Sequence, residues 1–147
     1  MAKKFYIASQ APFVELEIVS EKDAEGISEK LLVGFKRYGL AEAQEKINSF
    51  KELSESEAQT LLQKEVLYIK NAQVKVYDDE TLEVVDTIKV SDTRKAQPYE
   101  PFWGDKNEAL AVLLEHYLDS TPWRGSFIQG YIKSLINLDY KDAEAKN

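Results

Sequence analysis

The stretch Leu31-Leu-Val-Gly-Phe35-Lys-Arg-Tyr-Gly-Leu40-Ala-Glu-Ala-Gln-Glu-Lys-Ile47-Asn-Ser-Phe50 changes its periodicity halfway along. Leu31–Phe35 is a short, nearly continuous apolar run, closed by Tyr38-Gly39, and reads as a strand. From Leu40 the apolar residues recur at three- and four-residue steps, through Ala43, Ile47 and Phe50. Glu42, Glu45, Lys46 and Lys51 take the other side, as an amphipathic helix requires. A strand that hands over to a helix sets the expected class as α+β.

Working outward toward the N-terminus, Phe13-Val-Glu-Leu-Glu-Ile-Val19 alternates strictly, with Val14, Leu16 and Ile18 on one face and Glu15 and Glu17 on the other. Phe5-Tyr6-Ile7 is the expected hairpin partner of this strand, with Pro12 between them at a strand start or edge. Residues 1–38 thus form an N-terminal β segment of about three strands. Toward the C-terminus, Ser54-Glu-Ser-Glu57 has the spacing of a capping box and starts a second helix, whose face carries Ala58, Leu61, Leu62, Glu65 and Val66. The helical region is expected over 40–67.

A hairpin is expected over 70–90, in which Val74 and Val76 alternate with Lys75 and Tyr77. Asp78-Asp79-Glu80-Thr81 makes its polar turn, and the return strand between Leu82 and Val90 is rich in β-branched residues. Residues 91–104 hold two prolines, which push Gln97 and Glu100 out of helical space and predict an extended connector. Asp105, with Glu108 three residues on, caps a third helix with a stripe of Leu110, Leu113, Leu114, Tyr117 and Leu118. Thr121-Pro122 serves as N-cap and first position of a fourth helix bearing Trp123, Phe127, Ile128, Tyr131, Leu135 and Leu138. Its glycines, Gly125 and Gly130, suggest close approach of another element. The C-terminal helical pair spans 105–138, followed by a frayed tail over 139–147, and the whole of 1–147 is expected to be a single domain.

Composition excludes several kinds of chemistry. The 147 residues contain no Cys, so there is no disulfide framework, thiol nucleophile or thiolate-held metal, and the single His116 cannot build a multi-histidine site. Net charge is −7, and neither half of the chain is basic. Nucleic acid and anionic membrane surfaces are therefore not expected as partners. The N-terminal residues lack the apolar stretch of a secretory signal, and no run approaches a membrane span, which predicts residence in the cytoplasm.

Candidate chemistry is thin. Glu115, His116 and Asp119 could tune an acid/base pair, but on a helix they read as surface neighbours beside an apolar stripe. Asp78-Asp79-Glu80 lacks the alternating ligands, the Gly and the distal Glu of a calcium loop. Gly125-Ser-Phe-Ile-Gln-Gly130 fits neither a phosphate loop nor a nucleophile elbow. The expectation is a protein with no catalytic, cofactor-binding or metal-binding residues, and hence no enzyme. Aromatic residues instead concentrate late in the chain, at Tyr99, Phe102, Trp103, Tyr117, Trp123, Phe127 and Tyr131. Such residues either fill a core or serve as binding anchors.

Val33-Gly-Phe-Lys-Arg-Tyr-Gly-Leu-Ala-Glu-Ala-Gln-Glu-Lys-Ile47 resembles the Phe-Lys-Arg strand and amphipathic helix near the front of tail assembly chaperones of tailed bacteriophages and prophages. The Asp92-Thr-Arg94 step, the Trp103 connector, and Ala109–Asn137 with its Thr121-Pro-Trp-Arg124 helix start resemble the back part of those proteins. The resemblance implies a non-catalytic protein in the cytoplasm of the bacterial host. Such a protein binds the tape-measure protein, keeps it soluble, hands it to the tail-tube protein, and is absent from the finished particle. Trp103, Trp123, Phe127 and Tyr131 are the side chains singled out for partner contact, and an exposed aromatic helix face would permit a homo-oligomer. The alternative function is a structural tail or neck subunit retained in the virion; a weaker one is a small enzyme using Glu115, His116 or Asp119.

Overall fold

The computed structural model describes residue 3 and residues 11–95 and 109–145, with side chains of the last helix as far as Ile136. Its elements run β1 (Phe13–Val19), β2 (Lys30–Lys36), α1 (Leu40–Phe50), α2 (Glu55–Glu65), β3 (Val66–Tyr77), β4 (Val84–Asp92), a single 3-10 turn at Thr93–Lys95, α3 (Ala109–Asp119) and α4 (Thr121–Ala145). The four strands form one antiparallel sheet in the order β1-β2-β3-β4. The class is therefore α+β, with two helices inserted between β2 and β3 and two at the C-terminal end.

Alternation decides which way the sheet faces. Val14, Leu16 and Ile18 pair across β1–β2 with Phe35, Val33 and Leu31, so six apolar side chains stand on one face. The opposite face carries Glu15, Glu17, Gly34, Tyr68 and Lys70, placed there by the same register. Along β3 the buried positions move from Ile69 to the even-numbered Ala72 and Val74. The change of phase falls at Asn71, whose φ of 64° lies in the left-handed region that Asn tolerates better than most residues. Through it a long strand keeps its apolar side chains in one continuous core.

The helices bury their stripes against that face. α4 packs along β1 and α1, while α3 packs on α4, α2 and β3. Gly130 marks the closest approach of α4: a Cβ there would stand 2.2 Å from Ile18 Cδ1, and 3.6 Å from Phe35 Cζ. Gly125 faces open space, so only one of the two helix glycines answers to a neighbouring element. Ser54 and Glu57 form the reciprocal capping box at the start of α2, as their spacing requires.

Several boundaries differ from the sequence expectations. β1 pairs with β2 in a seven-residue register that buries three cross-strand pairs, a pairing the sequence expectation did not name; the expected partner Phe5-Tyr6-Ile7 lies outside the described residues. β3 begins at Val66, directly after α2, so the hairpin is longer than 70–90 and ends in a six-residue turn over 78–83. Ser91 and Asp92 close β4 and Thr93–Lys95 form the 3-10 turn, so the stretch expected as connector opens with regular structure; 96–108, with the Asp105 cap, lies outside the description. The Ser120 carbonyl accepts from the N–H groups of Trp123 and Arg124, at 3.1 and 3.0 Å, so the first helical bonds of α4 start one residue before Thr121. Helix continues to Ala145, where the polar composition predicts a frayed tail.

Candidate protein-binding surface

Three of the four aromatics singled out for partner contact lie in the core. Trp123, Phe127 and Tyr131 are at most 5% exposed, and Trp103 lies outside the described residues. Trp123 and Phe127 pack with Tyr117 of α3, at ring-centroid distances of 5.0 and 5.9 Å. Tyr131 meets Phe50 of α1 at 5.3 Å and Phe35 of β2 at 6.1 Å. Burying rings of this size contributes more than a helix stripe could gain in water, so the stripes turn inward. Burial also pushes the Tyr117 hydroxyl up to about 12.

The acid/base candidates Glu115, His116 and Asp119 lie exposed on the outer surface of α3. The carboxylate of Asp78 is occupied with the hairpin turn, accepting from the N–H groups of Glu80 at 2.8 Å and Thr81 at 2.9 Å. These backbone bonds hold its pKa below the ordinary carboxylate value. Among the described residues no group of three or more His, Asp or Glu is placed to hold a metal ion, and no helix is long and apolar enough to cross a membrane. A groove of about 330 Å³ runs between β1 and α4, and its charged lining residues are Glu17 and Lys133.

Two charged clusters join residues from elements far apart in the chain. On the open face of the sheet, Tyr68 lies across Gly34, where an added Cβ would come within 2.1 Å of the ring. Phe13 meets that ring edge-on at 5.6 Å, and the Arg94 guanidinium stacks 3.9 Å from its centroid. The Tyr68 hydroxyl donates to Glu15 at 2.7 Å, and Lys70 pairs with the same carboxylate at 2.9 Å. Lys70 and the Tyr68 hydroxyl lower the Glu15 pKa, while burial and the Glu15 carboxylate raise that of Tyr68. Arg94 clasps Asp92 at 2.7 Å and holds its pKa down to about 2. The Thr93 hydroxyl accepts from the Ile69 N–H at 3.0 Å, which ties the 3-10 turn to β3.

The second cluster sits at the end of α2. Glu65, only 3% exposed, accepts from the Tyr38 hydroxyl and pairs with Lys46 at 3.3 Å, and Lys46 lies 4.5 Å from the Tyr38 ring centroid. Burial, then the nearby Glu65 carboxylate, raises the hydroxyl pKa of both Tyr38 and Tyr131. The sequence does carry a signal here: Glu65 falls on the apolar stripe of α2. In both clusters the charges are matched within the fold, so their role is to join strands and helices.

What the described surface does offer is apolar area at the end of the β3–β4 hairpin. Tyr77, Leu82, Val84 and Val85 are all exposed there, beside the acidic turn. Tyr77 pairs with Val84, and a register slip between Val76 and Tyr77 leaves Val85 without a cross-strand partner of its own. No family model matches the chain, and no curated protein or solved structure matches it either.

Proposed function

We propose that the chain is a non-catalytic binding protein, a tail assembly chaperone of a tailed bacteriophage or prophage. It binds the tape-measure protein in the cytoplasm of the bacterial host, keeps it soluble and passes it to tail-tube subunits. The observation that carries this reading is spatial. Two of the segments that carry the resemblance, 33–47 and 109–137, are distant in sequence and pack against each other, with Phe35 of the first 6.1 Å from Tyr131 of the second. Gly130 in the second leaves the space that Ile18 and Phe35 fill. Asp92-Thr-Arg94 lies at the end of β4 and in the 3-10 turn, and Trp103 lies outside the described residues. An overall charge of −7 supports a solubilising role, since net charge far from zero opposes association of the complexes formed.

Co-expression with the tape-measure protein tests the proposal. The tape-measure protein should move from the insoluble to the soluble fraction and co-purify with this chain. Insolubility unchanged by the chain would overturn the reading. Mass spectrometry of purified particles separates the chaperone from a retained tail or neck subunit, because a chaperone is absent and a subunit is present in many copies.

A further inference from the structure

A binding protein must present a surface to its partner, and on the reading of this chain as a binding protein one surface stands out. We propose that the tip of the β3–β4 hairpin is the docking surface, and that its occupant is a polypeptide segment presenting apolar side chains flanked by Lys or Arg. Tyr77, Leu82, Val84 and Val85 are 55, 75, 47 and 62% exposed, four large apolar side chains within one hairpin end. The other large apolar side chains exposed among the described residues, such as Ile27, Leu40 and Ile136, fall on separate elements. Tyr77 and Val84 pair across the strands and so share a face, with Leu82 in the adjoining turn and Val85 next along β4. Single exposed apolar residues are ordinary on a protein surface, whereas several gathered at one place among polar groups mark an interaction site.

Charge selects the occupant. Between Tyr77 and Asp86 stand Asp78, Asp79, Glu80, Glu83 and Asp86, with no Lys or Arg among them, in a chain whose total charge is −7. A second copy would set these carboxylates against their own kind, and nucleic acid or an anionic lipid surface would meet the same repulsion. A segment with Lys or Arg beside its apolar anchors satisfies both the patch and its rim. The tip is also held in place for contact. Asp78 bonds to Glu80 and Thr81, and its backbone pairs with Leu82 and Glu83 at 2.9 Å. Leu82 occupies a left-handed backbone position, φ 61°, where glycine would fold with less strain.

The test uses the full chain and synthetic peptides of equal length: one alternating Leu and Lys, one with Glu for Lys, and one with Ser for Leu. Fluorescence anisotropy should show binding of the Leu-Lys peptide alone, weakened by added salt. Leu82→Gly and Val85→Ser should each weaken it by about tenfold, the scale of a buried anchor. Leu82→Gly relaxes the backbone at its position, so its melting temperature should hold or rise and lost binding cannot be lost folding. Amide NMR shifts on peptide addition should centre on residues 75–87. The proposal is overturned by binding of no peptide, by equal binding of the Leu-Glu peptide, by unchanged affinity in both variants, or by shifts centred elsewhere. A dimer that dissociates on Leu82→Gly would overturn it too, since the occupant would then be a second copy. The peptides contain no tape-measure sequence, which keeps the two readings separable. Tape-measure solubilisation undiminished by Leu82→Gly would remove the docking surface and leave the chaperone reading standing. Peptide binding at the tip without solubilisation by the unaltered chain would remove the chaperone reading alone.

Discussion

Gly34 and Tyr68 face each other across β2 and β3, and the ring fills the space a side chain at Gly34 would need. The ring cannot move aside cheaply, because Phe13, Arg94 and Glu15 hold it on three sides. Gly34→Ala should therefore destabilise the fold by about 1–3 kcal/mol, read from urea denaturation midpoints. The same cluster gives the chain an acid-sensitive element. The pKa of Asp92 falls from an ordinary 3.8 to about 2 in the folded state, because ionised Asp92 is clasped by Arg94. A depressed carboxylate stabilises the fold above its unfolded pKa and loses that contribution as pH falls through the folded value. Stability should thus drop between about pH 4 and pH 2, with Glu15 shifted in the same direction by Lys70. In an acid series of denaturation curves, Asp92→Asn should show a shallower fall than the unaltered chain. The Gly34–Tyr68 contact and the stacking of Arg94 on Tyr68 are not legible in the sequence, since these residues come together only through the pairing of β2, β3 and β4, whereas Asp92 and Arg94 are two residues apart and form a local pair.

At the scale of elements, local signals suffice for most of the assignment. The capping box at Ser54 and Glu57 forms as its spacing requires, with the Ser54 hydroxyl accepting from the Glu57 N–H at 3.3 Å and the Glu57 carboxylate from the Ser54 N–H at 3.2 Å. Ser54→Ala should cost about 1 kcal/mol, measured by thermal unfolding, and should loosen α2 ahead of its neighbours in amide exchange. The alternation of β1, the helical period of α1 and the turn at Asp78 are equally plain, because each depends on residues near in sequence. Element ends are less plain. α2 passes into β3 without a loop, and the C-cap of α2, Val66, is already extended at ψ 124°. Nothing in the local pattern separates a helix that stops at Glu65 from one that runs to Leu67, since β-branched Val66 suits either end.

For the whole molecule, the deciding question is where the aromatics go. Phe127 is fully buried, stacked 5.9 Å from Tyr117 and near Trp123, so it belongs to the core that joins α3 to α4. Phe127→Ala should cost about 3–5 kcal/mol, visible in calorimetry as a fall in melting temperature, with any loss of partner binding tracking the loss of fold. A large drop in binding at unchanged stability would instead make Phe127 a contact residue. The hairpin tip shows the converse. In the sequence its valines read as ordinary strand positions, yet Val84 and Val85 are exposed where Ile88 and Val90 of the same strand are buried in the core. By itself the sequence determined the α+β class, the identity of the elements and the lack of thiol or multi-histidine chemistry, all of which depend on composition or on contacts a few residues apart. The tertiary structure alone decided that β1 pairs with β2, that Trp123, Phe127 and Tyr131 turn inward, that Glu65 is buried against Tyr38 and Lys46, and that apolar surface collects at one hairpin end. An apolar stripe states that a face seeks cover, but which element supplies the cover depends on contacts between residues far apart in the chain.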